Sequence, residues 1–148
     1  MTVVRTAIEI AAPPERVWEV VMDPARLADW VTIHRSLGDA PRQLKRGSTF
    51  EQVLTLRGAH LHVEWTVVEL DPPRKAVWHG KGPVHSHASI VYELTPLPDG
   101  GTRFDYINEF KTPGGPLGAV AGRVLVGGLS EREAQRSLRR LKDLLQGS

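Results

Sequence analysis

Five of the six histidines lie between residues 60 and 87, and they are the first residues whose types and spacing suggest chemistry. If His60-x-His62 and His85-x-His87 each lie on a strand, each pair shares one face of that strand. Antiparallel succession would bring His79 between the pairs and set Glu64 on the same side. The five imidazoles of His60, His62, His79, His85 and His87 would then gather at one end of a sheet, where zinc or nickel ligation is chemically reasonable. That face is the polar one, however, and exposed strands carry histidine freely. A solvated surface cluster is the plainer reading, so no metal and no cofactor is expected. Other standard constellations are missing: there is no nucleophile elbow, phosphate loop or dinucleotide fingerprint. The chain has no cysteine, which excludes disulfides, thiolate metal sites and a Cys nucleophile, and suits a reducing cytoplasm.

The elements that would position these residues can be read from periodicity. Residues 4–10 alternate as a first strand. Pro13 and Pro14 open a short helix whose buried face is Val17, Trp18, Val20 and Val21. Asp23-Pro24 caps a second short helix running through Leu27 and Trp30. Residues 31–43 read as loop with a short edge strand at 38–43. Strands at 48–56, 59–70, 75–81, 84–95 and 102–111 follow, separated by short connections that each hold Gly or Pro. Residues 112–116 break the sheet and launch a helix over 117–146. Its second half is amphipathic, with Ala134, Leu138, Leu141 and Leu145 on one stripe and five Arg or Lys residues on much of the remainder. Its first half is apolar nearly all round and thinned by Gly118, Gly122, Gly127 and Gly128. These imply an α+β fold, a curved antiparallel sheet of about six or seven strands wrapped around a long C-terminal helix, in a single domain over residues 1–148.

Strand parity then locates a pocket. Leu61, Val63, Trp65 and Val67 share one face of their strand, and a tight turn at Pro72-Pro73 sets Trp78 opposite Val67. A second turn near Gly82 sets Trp78 near Ser86, and the same face continues through Ala88, Ile90, Tyr92 and Leu94. The last strand adds Phe104, Tyr106, Asn108 and Phe110, and the strand at 48–56 adds Phe50, Gln52, Leu54 and Leu56. This apolar face must meet the helix, with Val120 and Val124 facing it. Gln52, Ser86, Tyr92, Tyr106 and Asn108 are the polar groups that could orient a ligand, although each could equally be a satisfied polar group of the core. Asp105 and Glu109 fall on the outward parity, so no buried carboxylate pair offers a strong base.

The formal charge is only +2, from 19 Lys plus Arg against 17 Asp plus Glu. The basic helix segment also carries Glu131, Glu133 and Asp143, which reads as a solvated face with ion pairs at helical spacing. No nucleic-acid-binding motif is visible, and charges interrupt every apolar run before the roughly 20 residues of a membrane span. The expected partner is a small hydrophobic molecule, with no nucleic acid and no integral membrane contact, and the expected location is cytoplasmic. An edge strand at 4–10 or near 38–43 would allow pairing into a homodimer.

The order of one strand, two short helices, a run of strands and a long helix resembles the START-like, Bet v 1-like superfamily (SRPBCC). In particular it resembles the bacterial polyketide cyclase/dehydrase and lipid-transport family. The resemblance spans the chain and rests on APPERVWEVVMDP, DWVTIH, DPPRKAVWHG, YELTPLPDGGTRFDY and the ending GGPLGAVAG followed by SLRRLKDLL. WVTIH, with the later W…G.G pattern, looks more like an actinobacterial branch, some members of which are described as toxins of type II toxin–antitoxin pairs. The resemblance implies a helix-grip fold with Trp30 and His34 at a pocket mouth. It implies three functions: a carrier or sensor of a lipid, isoprenoid or polyketide-like molecule; a cyclase or dehydratase; or a toxin-like protein. In a cyclase, His34 would shuttle protons, since its ordinary pKa lies nearest neutrality, and Tyr92 or Tyr106 would hold a carbonyl oxygen.

Overall fold

The structure is a computed structural model that describes residues 2–56, 58–111 and 131–146. The chain runs through β1 (Thr2–Ile10), α1 (Pro14–Val21), a 3-10 turn (Pro24–Arg26) that continues into α2 (Leu27–Trp30), and β2 (His34–Leu37). Then come β3 (Thr49–Leu56), β4 (Ala59–Asp71), β5 (Lys75–Lys81), β6 (His87–Pro96), β7 (Thr102–Lys111) and α3 (Glu131–Gln146). The seven strands form one antiparallel sheet in the order β1-β7-β6-β5-β4-β3-β2, which leaves β1 and β2 at its edges. The sheet curls around α3, which packs on β1 and α2. This is the helix-grip arrangement expected from the element order. Val120 and Val124, with Gly118, Gly122, Gly127 and Gly128 and the first half of the expected helix, lie outside the described residues.

The local reasons follow from residue types. Proline opens α1 at a position whose N–H would be unpaired anyway, and Val17, Val20 and Val21, at helical spacing, are its buried residues. Trp18 is partly buried and packs on the core from its rim. Asp23 caps the next turn, its Oδ1 accepting from the Ala25 N–H at 3.0 Å. Gly58 and Gly100 supply the positive φ (78° and 89°) that the β3–β4 and β6–β7 hairpins demand. Along α3 the buried positions are Ala134, Ser137, Leu138, Leu141 and Leu145, a stripe with helical spacing. The far end of α3 is tied down by Gln146, whose Oε1 accepts from the Ala11 N–H at 2.8 Å.

Three expectations need correction. The short edge strand is His34–Leu37 and not 38–43. Pro41 has no N–H to give a ladder, and the pairing with β3 ends where the Gly38 N–H reaches the Glu51 carbonyl. The strand expected at 84–95 begins only at His87, because Pro83–His85 forms a 3-10 turn with His85 at φ 57°. Ser86 closes that loop, donating its hydroxyl to the Pro83 carbonyl at 2.7 Å. Trp78 therefore pairs with Ile90 and not with Ser86. The slip is an even number of residues, so every inward residue of β6 keeps its face.

Candidate functional site

A cavity of about 60 Å³ lies between the concave face of the sheet, α2 and α3. At about 10–15 Å³ per water, it has room for a handful of water-sized groups. β3 contributes Gln52 and Leu54 to the wall, β4 Val63 and Trp65, and β5 Trp78. Ser86 and, on β6, Ile90 and Tyr92 continue it, and β7 adds Tyr106, Asn108 and Phe110. Trp30 closes one end from α2. The structure thus brings most of the sequence-predicted residues around one space. It leaves two away from the wall. Phe50 is buried behind it, edge-on to Trp78 with ring centroids 5.3 Å apart. His34 lies behind Gln52 and makes no part of the wall.

Tyr92 is the centre of the aromatic interior. Its ring lies 6.1 Å from Trp30, 5.1 Å from Trp78, 5.2 Å from Phe104 and 6.0 Å from Tyr106. All of these pairs are tilted or edge-on, the geometry the ring quadrupoles favour. Burial pushes the Tyr106 phenol up to about 12, an effect only partly offset by the hydrogen bond from Asn108. Tyr92 is also raised well above 10.0, first by burial and then by the neighbouring Tyr106. Both phenols therefore keep their protons at neutral pH and serve as hydrogen-bond donors, not bases.

The polar groups divide into spent and unspent. Trp65 Nε1 donates to Gln52 Oε1 at 2.9 Å, which turns the Gln52 amide nitrogen toward His34 Nδ1, also at 2.9 Å. An indole nitrogen can only donate, so Gln52 must present its NH₂ to His34, and Nδ1 must be the bare, accepting nitrogen of a neutral ring. Burial lowers the His34 pKa from 6.5, in the same direction. The Nδ1 edge of His34, expected at the pocket mouth, is thus taken up by Gln52. Asn108 Nδ2 donates to the Tyr106 hydroxyl at 2.8 Å. Among the described residues, three buried side-chain polar atoms have no hydrogen-bond partner: Trp30 Nε1, Trp78 Nε1 and Asn108 Oδ1.

One side of the wall was not anticipated. The loop after α2 is fastened to α3 through Thr32: its N–H donates to Ser137 Oγ at 3.1 Å and its hydroxyl to Glu133 Oε1 at 2.5 Å. Glu133 and Ser137 both line the cavity. Ser137 was legible, since it sits three residues after Ala134 on the buried stripe of α3. Glu133 was not, because it reads as one more charge of a solvated helix face.

The histidines do not assemble. His60 and His62 lie on the outer face of β4, facing Thr55 and Val53 across β3, beyond the end of its pairing with β5. His79 pairs with Thr66 and Ser89, well along the strand, and His85 sits in the 3-10 turn. His87 pairs with Lys81 and Lys111 at the cavity's rim. All five are exposed, and among the described residues no three such side chains are placed to hold a metal ion.

Comparison with known proteins agrees with this architecture. The chain is 26% identical over 121 residues to Toxin Rv0910 of Mycobacterium tuberculosis, a match covering 80% of this chain and 84% of that protein. Among solved structures, the Zhui aromatase/cyclase of a Streptomyces species superposes with a TM-score of 0.78 at 17% identity, covering 98% of this chain and 93% of that one. A conserved protein of Geobacillus kaustophilus superposes with a TM-score of 0.75 at 21% identity, covering 99% and 97%. At such identities the superpositions speak for the fold alone. The sequence profile of one family, described as polyketide cyclase / dehydrase and lipid transport, matches residues 1–146. With a curled sheet gripping α3 around an aromatic cavity, and with that match over nearly its whole length, the chain belongs to the polyketide cyclase/dehydrase and lipid transport family.

Proposed function

We propose that the protein is a cytoplasmic carrier or sensor that binds one small lipophilic molecule between the sheet and α3. The observation that carries this reading is the apolar cavity ringed by Trp30, Trp65, Trp78 and Tyr92, with Gln52 and Asn108 among the polar residues of its wall. Such a site is concave and mostly apolar, with a few polar groups able to fix orientation. The cavity's present volume is small, so a ligand of lipid or polyketide size enters as wall side chains move apart. A cyclase or dehydratase has less support here. Its proton shuttle would be His34, which is held neutral behind Gln52, and its phenols cannot act as bases near neutrality. The test is native mass spectrometry of the full chain, with organic extraction of what co-purifies. A stoichiometric hydrophobic adduct is expected, and a bare mass with no uptake from a lipid and polyketide panel would remove the carrier reading.

A second reading is favoured by one specific observation, the match to a protein named as a toxin over 80% of this chain. On that reading the surface matters and not the cavity. Growth arrest on expression, relieved by a small protein encoded beside it and unaffected by filling the cavity, would support it.

A further inference from the structure

The two edges of the sheet are not equally closed. β2 is four residues long, and its pairing with β3 slips between His34 and Ser36, which blunts that edge. β1 pairs with β7 without a break over nine residues and contains no proline. A Cβ on Gly101 would lie 2.8 Å from the Ile10 carbonyl, so Ile10 turns its peptide groups toward β7. By alternation the N–H and C=O groups of Val3, Arg5, Ala7 and Glu9 turn the other way, to the open edge. Ala11 continues the pattern, since its N–H is taken by Gln146 of α3. Earlier in the strand these edge groups have no backbone partner among the described residues, and Val3, Arg5, Ala7 and Glu9 are exposed.

α3 borders this edge and makes a groove with it. Thr6, Ala7 and Ile8 form one side of a space of about 220 Å³, and Gln135, Leu138 and Arg139 form the other. Leu138 is buried and lines both this groove and the cavity, while Gln135 and Arg139 stand exposed at the rim. A free strand edge beside a helix is the geometry of strand addition, in which main-chain bonds supply affinity and alternate side chains supply specificity. The rim is basic. Arg132, Arg136, Arg139 and Arg140 are all exposed, and among the described residues Arg139 is in no ion pair. The carboxylates at the start of the helix face other groups: Glu131 accepts from Gln135 and Glu133 from Thr32. A second copy of the chain fits poorly, because two-fold pairing of β1 with itself would carry a second α3, with the same arginines, to the same side of the sheet. We propose that this groove takes an extended acidic peptide, which adds to β1 as a further strand and sets a carboxylate on Arg139.

The experiment uses the full chain and a blocked octapeptide of alternating Thr and Val with one Glu in a Val position. One control peptide carries Lys in place of that Glu, and another carries N-methyl groups on the residues that would pair with β1. Affinity is read by fluorescence anisotropy, and the amides of β1 are followed by hydrogen exchange. The Glu peptide should slow exchange at Arg5, Ala7 and Glu9. The Lys peptide, and Arg139→Glu with the Glu peptide, should each bind about 3- to 10-fold more weakly. Ala7→Pro removes an N–H that the β1–β7 pairing does not use, and should abolish binding. If Ala7→Pro fails to fold, wild-type exchange and Arg139→Glu still decide. No binding, equal binding of either control peptide, or binding that leaves the three amides exchanging as before overturns the inference. So does protection of the same amides that grows with protein concentration in the absence of peptide, since a second copy would then hold the edge. The carrier reading stands or falls separately, on the cavity.

Discussion

Gly80→Ala is the most informative single perturbation, because it adds one methyl group where the structure has no room. A Cβ at Gly80 would lie 2.7 Å from Trp65 Cζ3, 2.8 Å from Trp65 Cε3 and 2.8 Å from Val63 Cγ1. Real side chains do not approach so closely, so the indole must tip away. Its other end is fixed by the 2.9 Å hydrogen bond to Gln52. Overpacking costs about 1–3 kcal/mol, and an orphaned Trp65 N–H adds about 1–3 kcal/mol. Against this, the alanine restricts the unfolded chain and returns about 0.4–1 kcal/mol. The net expectation is a loss of about 2–4 kcal/mol, read as a lower urea midpoint with an unchanged slope. Trp65 fluorescence and its indole N–H signal should change with it. A loss under about 0.5 kcal/mol, the scale of an ordinary surface substitution, would refute the claim that the indole is wedged between Gly80 and Gln52. A useful control is Gly47→Ala. There the backbone has φ 89° but nothing lies within 4 Å, so any cost comes from conformation and not space.

Other outcomes follow from the same geometry. The chain has two tyrosines, so its phenolate absorbance should stay flat through pH 10 and rise only near the Tyr106 value of about 12, or on unfolding. Because the folded phenols bind their protons more tightly than the unfolded ones, this stability is full below pH 10.0 and is lost as pH rises above it. His34 behaves in the opposite sense. Its folded pKa lies below 6.5, so the unfolded chain takes up the proton first, and stability falls as the pH drops through that value. In His34→Gln, which keeps an acceptor for Gln52, the urea midpoint should depend less on pH between about 5 and 8. A slope equal to wild type would reject the neutral-ring assignment. Tyr106→Phe strips the Asn108 amide of its acceptor and should cost about 1–3 kcal/mol in chemical denaturation. Adding Asn108→Leu should recover part of that loss; no recovery would place the cost elsewhere.

Alternation by itself determined which residues turn inward. The inward sets of β3, β4, β6 and β7 follow from a side-chain period of two, and even the misjudged β5–β6 connection left them on the right face because its error was an even number of residues. The helical stripe of α3 and the proline and Asx signals of the short helices were equally local, written within a few residues of where they act. What only the tertiary structure decided is who meets whom. That Gln52 spends both ends on Trp65 and His34, so that the histidine faces an amide and not the cavity, depends on the pairing of β2 with β3 across a bulge. That Glu133 and Ser137 clasp Thr32 depends on residues about a hundred positions apart meeting across the cavity. The scatter of the histidines depends on where β5 ends and the Pro83 turn begins. Periodicity reports the face a side chain takes, because that is a property of one strand. Partnership is a property of two elements and their register, and it exists only once the sheet has closed around its helix.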